Sequence, residues 1–145
     1  MSKLVYFDTS ALAKWYLHEA HSEEVERYLQ AHGSVAISSL TVAEMRSLLA
    51  RRRRDREINA DFEARVFATF REDIRRGHLH RHPISDGTFD AAVHLLTILP
   101  KQALRTLDAL HLALAQEIQA ATIATADRVM ADAAVAMKFE VVRFF

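Results

Sequence analysis

The sequence predicts an α/β fold, a mostly parallel β-sheet with helices on both faces. Three observations carry this. Short β-prone apolar runs alternate with longer stretches of helical periodicity, the pattern of strand–helix–strand units. Only 3 glycines and 2 prolines occur in 145 residues, and no Gly/Ser-rich linker, low-complexity tract or internal repeat interrupts the alternation. Half of the residues are hydrophobic, which argues against a disordered chain. At this length the chain is expected to form one domain over residues 1–145, burying roughly 68–70% of its unfolded surface.

The elements follow in order. Lys3–Phe7 carries the run Leu4, Val5, Tyr6, Phe7 and reads as the first strand. Ser10–His18 and Ser22–His32 read as helices, the second stopped by Gly33. Val35–Ser38 is a second strand. Leu40–Arg54 and Asn59–Arg76 are helices, and Gly77 ends the latter. Leu79–Ile84 is a weak third strand, interrupted by Pro83. Helices are expected over Phe89–Leu99 and Leu104–Ala120, a fourth strand over Thr122–Thr125, a helix over Asp127–Met137 and a last strand over Glu140–Phe144. In the penultimate long helix, Leu107, Leu110, Leu114 and Ile118 are expected to form the apolar stripe.

Composition removes several classes of function. There are no cysteines, which excludes disulfides, cysteine-zinc sites and thiol catalysis and suits a reducing cytoplasm. No apolar run reaches the roughly 18–20 residues of a membrane span, and the N-terminus has no signal-peptide pattern, so a mature, soluble, cytoplasmic protein is expected. The formal net charge is zero, yet the charges are segregated. Arg46 to Arg81 holds 11 arginines against 6 acids, a local +5, and the remainder holds 8 bases against 13 acids, or −5. The run Arg51, Arg52, Arg53, Arg54 reads either as a solvated helix end or as a phosphate-facing patch.

Four acids stand in awkward places. Asp8 follows the first strand in "FDTSA", where it, Thr9 or Ser10 has the chemistry to cap the next helix. Glu44 shares a helical ridge with Leu40 and Leu48, at the border of the buried face or facing a polar site. Asp108 flanks the apolar stripe near a helix start, where an acid also favours the helix dipole. Asp127 follows the fourth strand, and either it or Thr125 is placed to cap the helix behind. His111 projects from the centre of an apolar stripe and reads as a core histidine with its nitrogens satisfied, rather than as a ligand or base.

Together the acids say more than each does alone. Two sit at strand ends, where open parallel sheets form their sites, and two flank helix faces that should pack on the same sheet. Carboxylates ~4 Å apart repel by about 4 kcal/mol at an effective dielectric near 20. If they converge, protons or a cation must intervene. Hard divalent cations take oxygen ligands, and their usual substrate partner is a phosphate. Metal-assisted phosphodiester cleavage follows as the expected chemistry.

The segments "YFDTSAL", "SSLTVAEMRSLLAR", "LDALHLALA" and "IATADRVM" occur in this order, and together they resemble the PIN-domain ribonucleases. The resemblance is greatest to the VapC-type toxins of toxin–antitoxin pairs and covers Val5 to Val142. It implies an α/β/α sandwich and an acidic pocket of Asp8, Glu44, Asp108 and Asp127 that binds Mg²⁺ or Mn²⁺. Thr9 or Ser10, with Thr125, would orient the site or its waters, and one of the first two would cap the helix so that Asp8 is free for metal. The implied reaction is endonucleolytic hydrolysis of RNA by in-line attack of water, leaving a 5′-phosphate and a 3′-hydroxyl. It does not use the 2′-hydroxyl, so preference for RNA would come from shape and contacts, with Arg51 to Arg54 on the RNA backbone. Some relatives carry a further acid just past the fourth one. Here Val129 follows Arg128 and the next acid is Asp132, so a second firmly held metal is not expected before RNA arrives.

The resemblance also implies partners: a small antitoxin whose tail covers the pocket, and a symmetric homodimer. Trp15, Tyr16 and Leu17 form an apolar cluster that reads either as an anchor for that partner or as core. His78, His80 and His82 alternate as they would on one face of a strand, suiting a solvent face or an RNA contact more than a metal site. Two rival readings remain. "FDTSA" after a strand is loosely similar to the haloacid-dehalogenase phosphatases, with Asp8 as nucleophile, although Ser10 stands where those carry a second acid. The other rival is a non-catalytic RNA-binding module.

Overall fold

The computed structural model describes residues 3–145. Its elements are β1 (Val5–Phe7), α1 (Thr9–Tyr16), α2 (Ser22–His32), β2 (Val35–Ser38), α3 (Ser39–Arg54) and α4 (Ala60–Arg75). There follow β3 (Leu79–His82), α5 (Asp86–Ile98), α6 (Thr106–Glu117), β4 (Thr122–Thr125), α7 (Arg128–Ala136) and β5 (Glu140–Arg143). The sheet has the order β3-β2-β1-β4-β5. Every pairing is parallel, with Tyr6 opposite Ala36 on one side and Ile123 on the other.

The period-2 alternation of β1 explains the layers. Tyr6 points to one face, among Ala36, Ile123, Leu110, Leu114 and Met130. Val5 and Phe7 point to the other, among Leu12, Val25, Ile37, Met45 and Phe70. Burial on both faces accounts for the continuous apolar runs of the central strands. The result is the expected α/β/α sandwich. Among the described residues no helix is long and apolar enough to cross a membrane.

Element ends follow from local chemistry. The third strand stops at His82, ahead of Pro83, which has no N–H to give to a ladder. It lies at the sheet edge with only Leu79 buried, so the alternating histidines sit at a rim. Helix α3 begins with a reciprocal cap between Ser38 and Thr41, and α5 with one between Ser85 and Thr88. Helix α6 departs from expectation. Leu107 is 44% exposed rather than part of the buried stripe, whereas Ala109 through Ala115 are all buried. The helix runs inside the molecule, so small residues on its flanks are covered as fully as its leucines.

The topology places the site. The chain lays β1, β2 and β3 to one side, then returns to set β4 and β5 on the other. Strand order therefore reverses between β1 and β4, where a crevice opens beyond their carboxyl ends.

Candidate active site

Asp8 and Asp127 lie in that crevice, just past β1 and β4. The Asp8 N–H donates to the Ala124 carbonyl (2.9 Å), which holds the two strand ends together. Helix α3 brings in Glu44, and α6 brings in Asp108. All four acids line one cleft of about 470 Å³, with Thr9, Ser10, Ser47, Leu107 and Arg51 also in its wall.

Each acid is held by one oxygen. Asp8 Oδ2 accepts from the Ser10 hydroxyl (2.6 Å) and from the Thr125 hydroxyl (2.8 Å). Glu44 Oε1 accepts from Thr9 Oγ1 (2.7 Å) and is hydrogen-bonded to His111 Nε2. Asp108 Oδ2 accepts the backbone N–H of Arg105 (3.1 Å). Asp127 Oδ1 accepts those of Val129 (2.8 Å) and Met130 (3.2 Å). The second oxygen of each carboxylate takes no hydrogen bond among the described residues.

These contacts correct one expectation and refine two. Neither Thr9 nor Ser10 caps α1: both hydroxyls turn to the acids, and Asp8 stands at the cap position without a side-chain cap bond. The start of α1 needs less help because Asp8 O accepts from the N–H groups of Ala11 and Leu12. Asp127 does cap its helix, through one oxygen, which leaves the other for the cleft. Thr125 is bound up with both strand ends. Its hydroxyl accepts from the Asp127 N–H (3.0 Å) and lies 3.4 Å from Ser10 Oγ, which in turn accepts from Ala126 N–H (3.0 Å).

The electrostatics record the crowding. Burial raises the Asp108 carboxyl, and the negative charges of Asp127 and Asp8 raise it further. Burial alone would also raise Glu44, but the hydrogen bond and charge of His111, with the Thr9 hydroxyl, hold it below the usual range. Burial would lower His111, but the Glu44 bond and the charges of Asp8, Glu44 and Asp108 raise it.

His111 and Tyr6 are the partners that sequence reasoning left out of the site. The core reading of His111 holds in that it is 2% exposed and both ring nitrogens are satisfied. One of its partners is a cleft acid, however. The available signal was its spacing: His111 follows Asp108 by three residues and so shares a helix face with it.

The basic run divides. Arg52 pairs with Glu19 and Glu57 (3.0 Å each), and Arg53 with Glu63 (3.0 Å). Arg54 is exposed, and Arg51 alone of the run faces the cleft. Tyr16 and Leu17 belong to the body: Leu17 is buried, and the Tyr16 hydroxyl donates to Asp73 (2.6 Å). Trp15 and Tyr16 are both half-buried, and the Trp15 side chain lines a cavity with Leu29, Asp73 and His78.

A cation would find oxygen donors here, which suits hard divalent ions. Both nitrogens of His111 are engaged and offer no ligand. Among the described residues no group of three or more His, Asp or Glu side chains stands, as placed, where it could hold a metal ion together. The acids line an open cleft, and the rim histidines of β3 make no cage either. Asp132 is exposed and lies outside the cleft wall.

No curated protein matches the chain in sequence. Solved structures do match in fold. The Mycobacterium tuberculosis toxin VapC20, which cleaves the sarcin–ricin loop, superposes with a TM-score of 0.73 at 19% identity, over 96% of this chain and 98% of that one. FitAcB from Neisseria gonorrhoeae gives 0.70 at 18% identity, over 95% and 96%. VapBC2 from Rickettsia felis, solved on a promoter DNA fragment, gives 0.64 at 16% identity, over 98% and 99%. At such identities these superpositions speak for the fold. Membership rests on sequence: the model of the PIN domain matches residues 5–136, from the first strand through the last helix, and the chain belongs to the PIN domain family.

Proposed function

We propose that this protein is a metal-dependent endoribonuclease and the toxin of a type II toxin–antitoxin pair. The observation that carries the reading is the acid cleft, where Asp8, Glu44, Asp108 and Asp127 each commit one oxygen to the protein and leave the other free. The free oxygens would hold Mg²⁺ or Mn²⁺. When bound, such an ion supplies positive charge to the scissile phosphate and acidifies water at neutral pH.

The chain's own residues do the rest. The hydroxyls of Ser10 and Thr125 fix Asp8, and Thr9 fixes Glu44, so these carboxylates are pre-oriented. Burial, with the negative charges of Asp127 and Asp8, raises the Asp108 carboxyl, and a cation would relieve the repulsive part. Arg51, in the wall of the same cleft, is placed to pair with an RNA phosphate. Family membership supports nuclease chemistry, and the toxins among the solved neighbours support the cellular role. The phosphatase reading finds no second acid two residues after Asp8, because Ser10 stands there and bonds Asp8 instead.

The test is cleavage of RNA by the purified protein with Mg²⁺ or Mn²⁺, followed by mapping of the product ends. The expected products carry a 5′-phosphate and a 3′-hydroxyl, and a chelator abolishes their formation. Cleavage that persists in chelator and leaves cyclic phosphate ends would contradict the proposal.

A further inference from the structure

Glu44 is the one cleft acid not fixed by backbone or strand-end contacts. It sits on α3, on a side chain with three rotatable bonds. What holds it is a chain of buried side chains. The Tyr6 hydroxyl meets His111 Nδ1 at 2.5 Å, and His111 Nε2 is hydrogen-bonded to Glu44 Oε1. Thr9 Oγ1 donates to the same oxygen, so Oε1 is saturated and Oε2 is left for the cleft. Tyr6 is fully buried on β1 and His111 nearly so on α6, both in the core layer behind the site. Nε2 also lies 3.9 Å from Asp8 Oδ1, so the imidazole stands between two of the acids.

We propose that His111 is a positioning residue for the metal. Locked by Tyr6, it pins Glu44 so that a single oxygen, Oε2, is presented to a divalent cation. A hydrogen-bonded partner behind a ligand fixes its orientation, and losing such a partner typically costs 10–100-fold in metal affinity. The Glu44 carboxylate can only accept, so Nε2–H is the donor to it, and in the neutral imidazole Nδ1 then accepts from the Tyr6 hydroxyl. This inference rests on the proposed cation-binding role of the cleft.

The test is direct Mn²⁺ binding, by electron paramagnetic resonance and calorimetry, with no turnover involved. Wild type, Asp8→Asn, Glu44→Gln, His111→Leu, His111→Gln, Tyr6→Phe and the Glu44→Gln/His111→Leu double variant are compared. His111→Leu is expected to weaken Mn²⁺ binding tenfold or more. His111→Gln, whose amide N–H₂ can take the place of Nε2–H, is expected to stay within about threefold of wild type. Tyr6→Phe, which leaves Glu44 and its two donors in place, is expected to weaken binding severalfold. The double variant is expected to bind no worse than Glu44→Gln alone, because His111 acts through Glu44.

Wild-type affinity in His111→Leu, or a further loss in the double variant, overturns the positioning role. If His111→Leu does not fold, Tyr6→Phe decides, and unchanged Mn²⁺ affinity there overturns it. Asp8→Asn separates the two levels. Loss of binding in Asp8→Asn with none in His111→Leu or Tyr6→Phe sinks this inference alone. Unaltered binding in Asp8→Asn sinks the metal assignment beneath it.

Discussion

Thr125 Oγ1, at the end of β4, donates to Asp8 Oδ2 just past β1, over 2.8 Å. The two residues are 117 apart in sequence, and their bond ties the halves of the sheet together where the strand order reverses. Thr125 is fully buried, so its hydroxyl has no water to fall back on.

Thr125→Val keeps the shape and removes that hydroxyl. It leaves Asp8 short of a donor and Asp127 N–H short of an acceptor. A loss of about 1–3 kcal/mol in urea unfolding is expected, along with weakened metal-dependent cleavage. Thr125→Ser should recover most of both. A valine variant as stable and as active as wild type would show that the bond neither holds the strand ends nor orients Asp8.

The basic run should behave as two populations. Arg51→Ala is expected to weaken RNA binding and to reduce the single-strand salt slope by about 0.7, the loss of one phosphate contact. Arg52→Ala should leave the slope alone and cost up to about 1 kcal/mol of stability, because it breaks part-exposed ion pairs to Glu19 and Glu57. Equal slope changes in both variants would return the whole run to one phosphate-facing patch.

Much of this was legible in the sequence, and the exceptions have physical causes. Strand and helix positions agree to within a few residues because β1, β2 and β4 are short apolar runs bounded by polar caps. The four acids stood out because two follow strand ends and two flank apolar helix faces, and the cleft they share lies where the parallel sheet reverses at β1. The orientation of hydroxyls was not legible. Thr9 and Ser10 satisfy a helix-cap pattern as well as they satisfy an acid, and only the neighbouring chains decide. Leu107 was misplaced because periodicity gives a stripe but not how much of the helix a neighbour covers. His111 and Tyr6 look like core in sequence because they are core, and nothing local reveals that Glu44 arrives from α3.

All three tyrosines hold their protons above the ordinary range. Burial is the main cause in each. A hydrogen bond to Asp73 adds to it for Tyr16, and the charge of Glu140 does so for Tyr28. Because the folded values are raised, the neutral phenols stabilise the fold. That contribution is fully present below the unfolded value of about 10 and is lost as pH climbs above it. Phenolate absorbance should therefore stay low until the helical circular dichroism is lost. Ionisation of Tyr6 and Tyr16 near their ordinary value in a folded protein would contradict the buried placements.

An antitoxin should purify with this chain when a short adjacent gene is expressed beside it. The partner is expected to present a basic side chain to the acid cleft and to inhibit cleavage, and this chain on its own is expected to form a symmetric dimer in solution. Trp15 is half-buried and lines a cavity, so Trp15→Ala should weaken the complex. The corresponding changes at Tyr16 or Leu17 should instead lower stability, since Leu17 is buried and the Tyr16 hydroxyl is tied to Asp73. Equal RNA cleavage before and after the partner is stripped away would assign the protein to another role.

The most direct measurement is the rate of RNA cleavage by wild type and by Asp8→Asn in Mg²⁺ or Mn²⁺, with and without chelator, beside urea unfolding of both. Asparagine keeps an oxygen for the hydroxyls of Ser10 and Thr125 and removes one negative charge from a crowded cleft. Wild type is expected to cleave only with metal. Asp8→Asn is expected to lose cleavage by two orders of magnitude or more while its stability holds or rises. Cleavage by Asp8→Asn at the wild-type rate, or wild-type cleavage indifferent to chelator, would show that the four-carboxylate cleft is not where this protein cuts RNA.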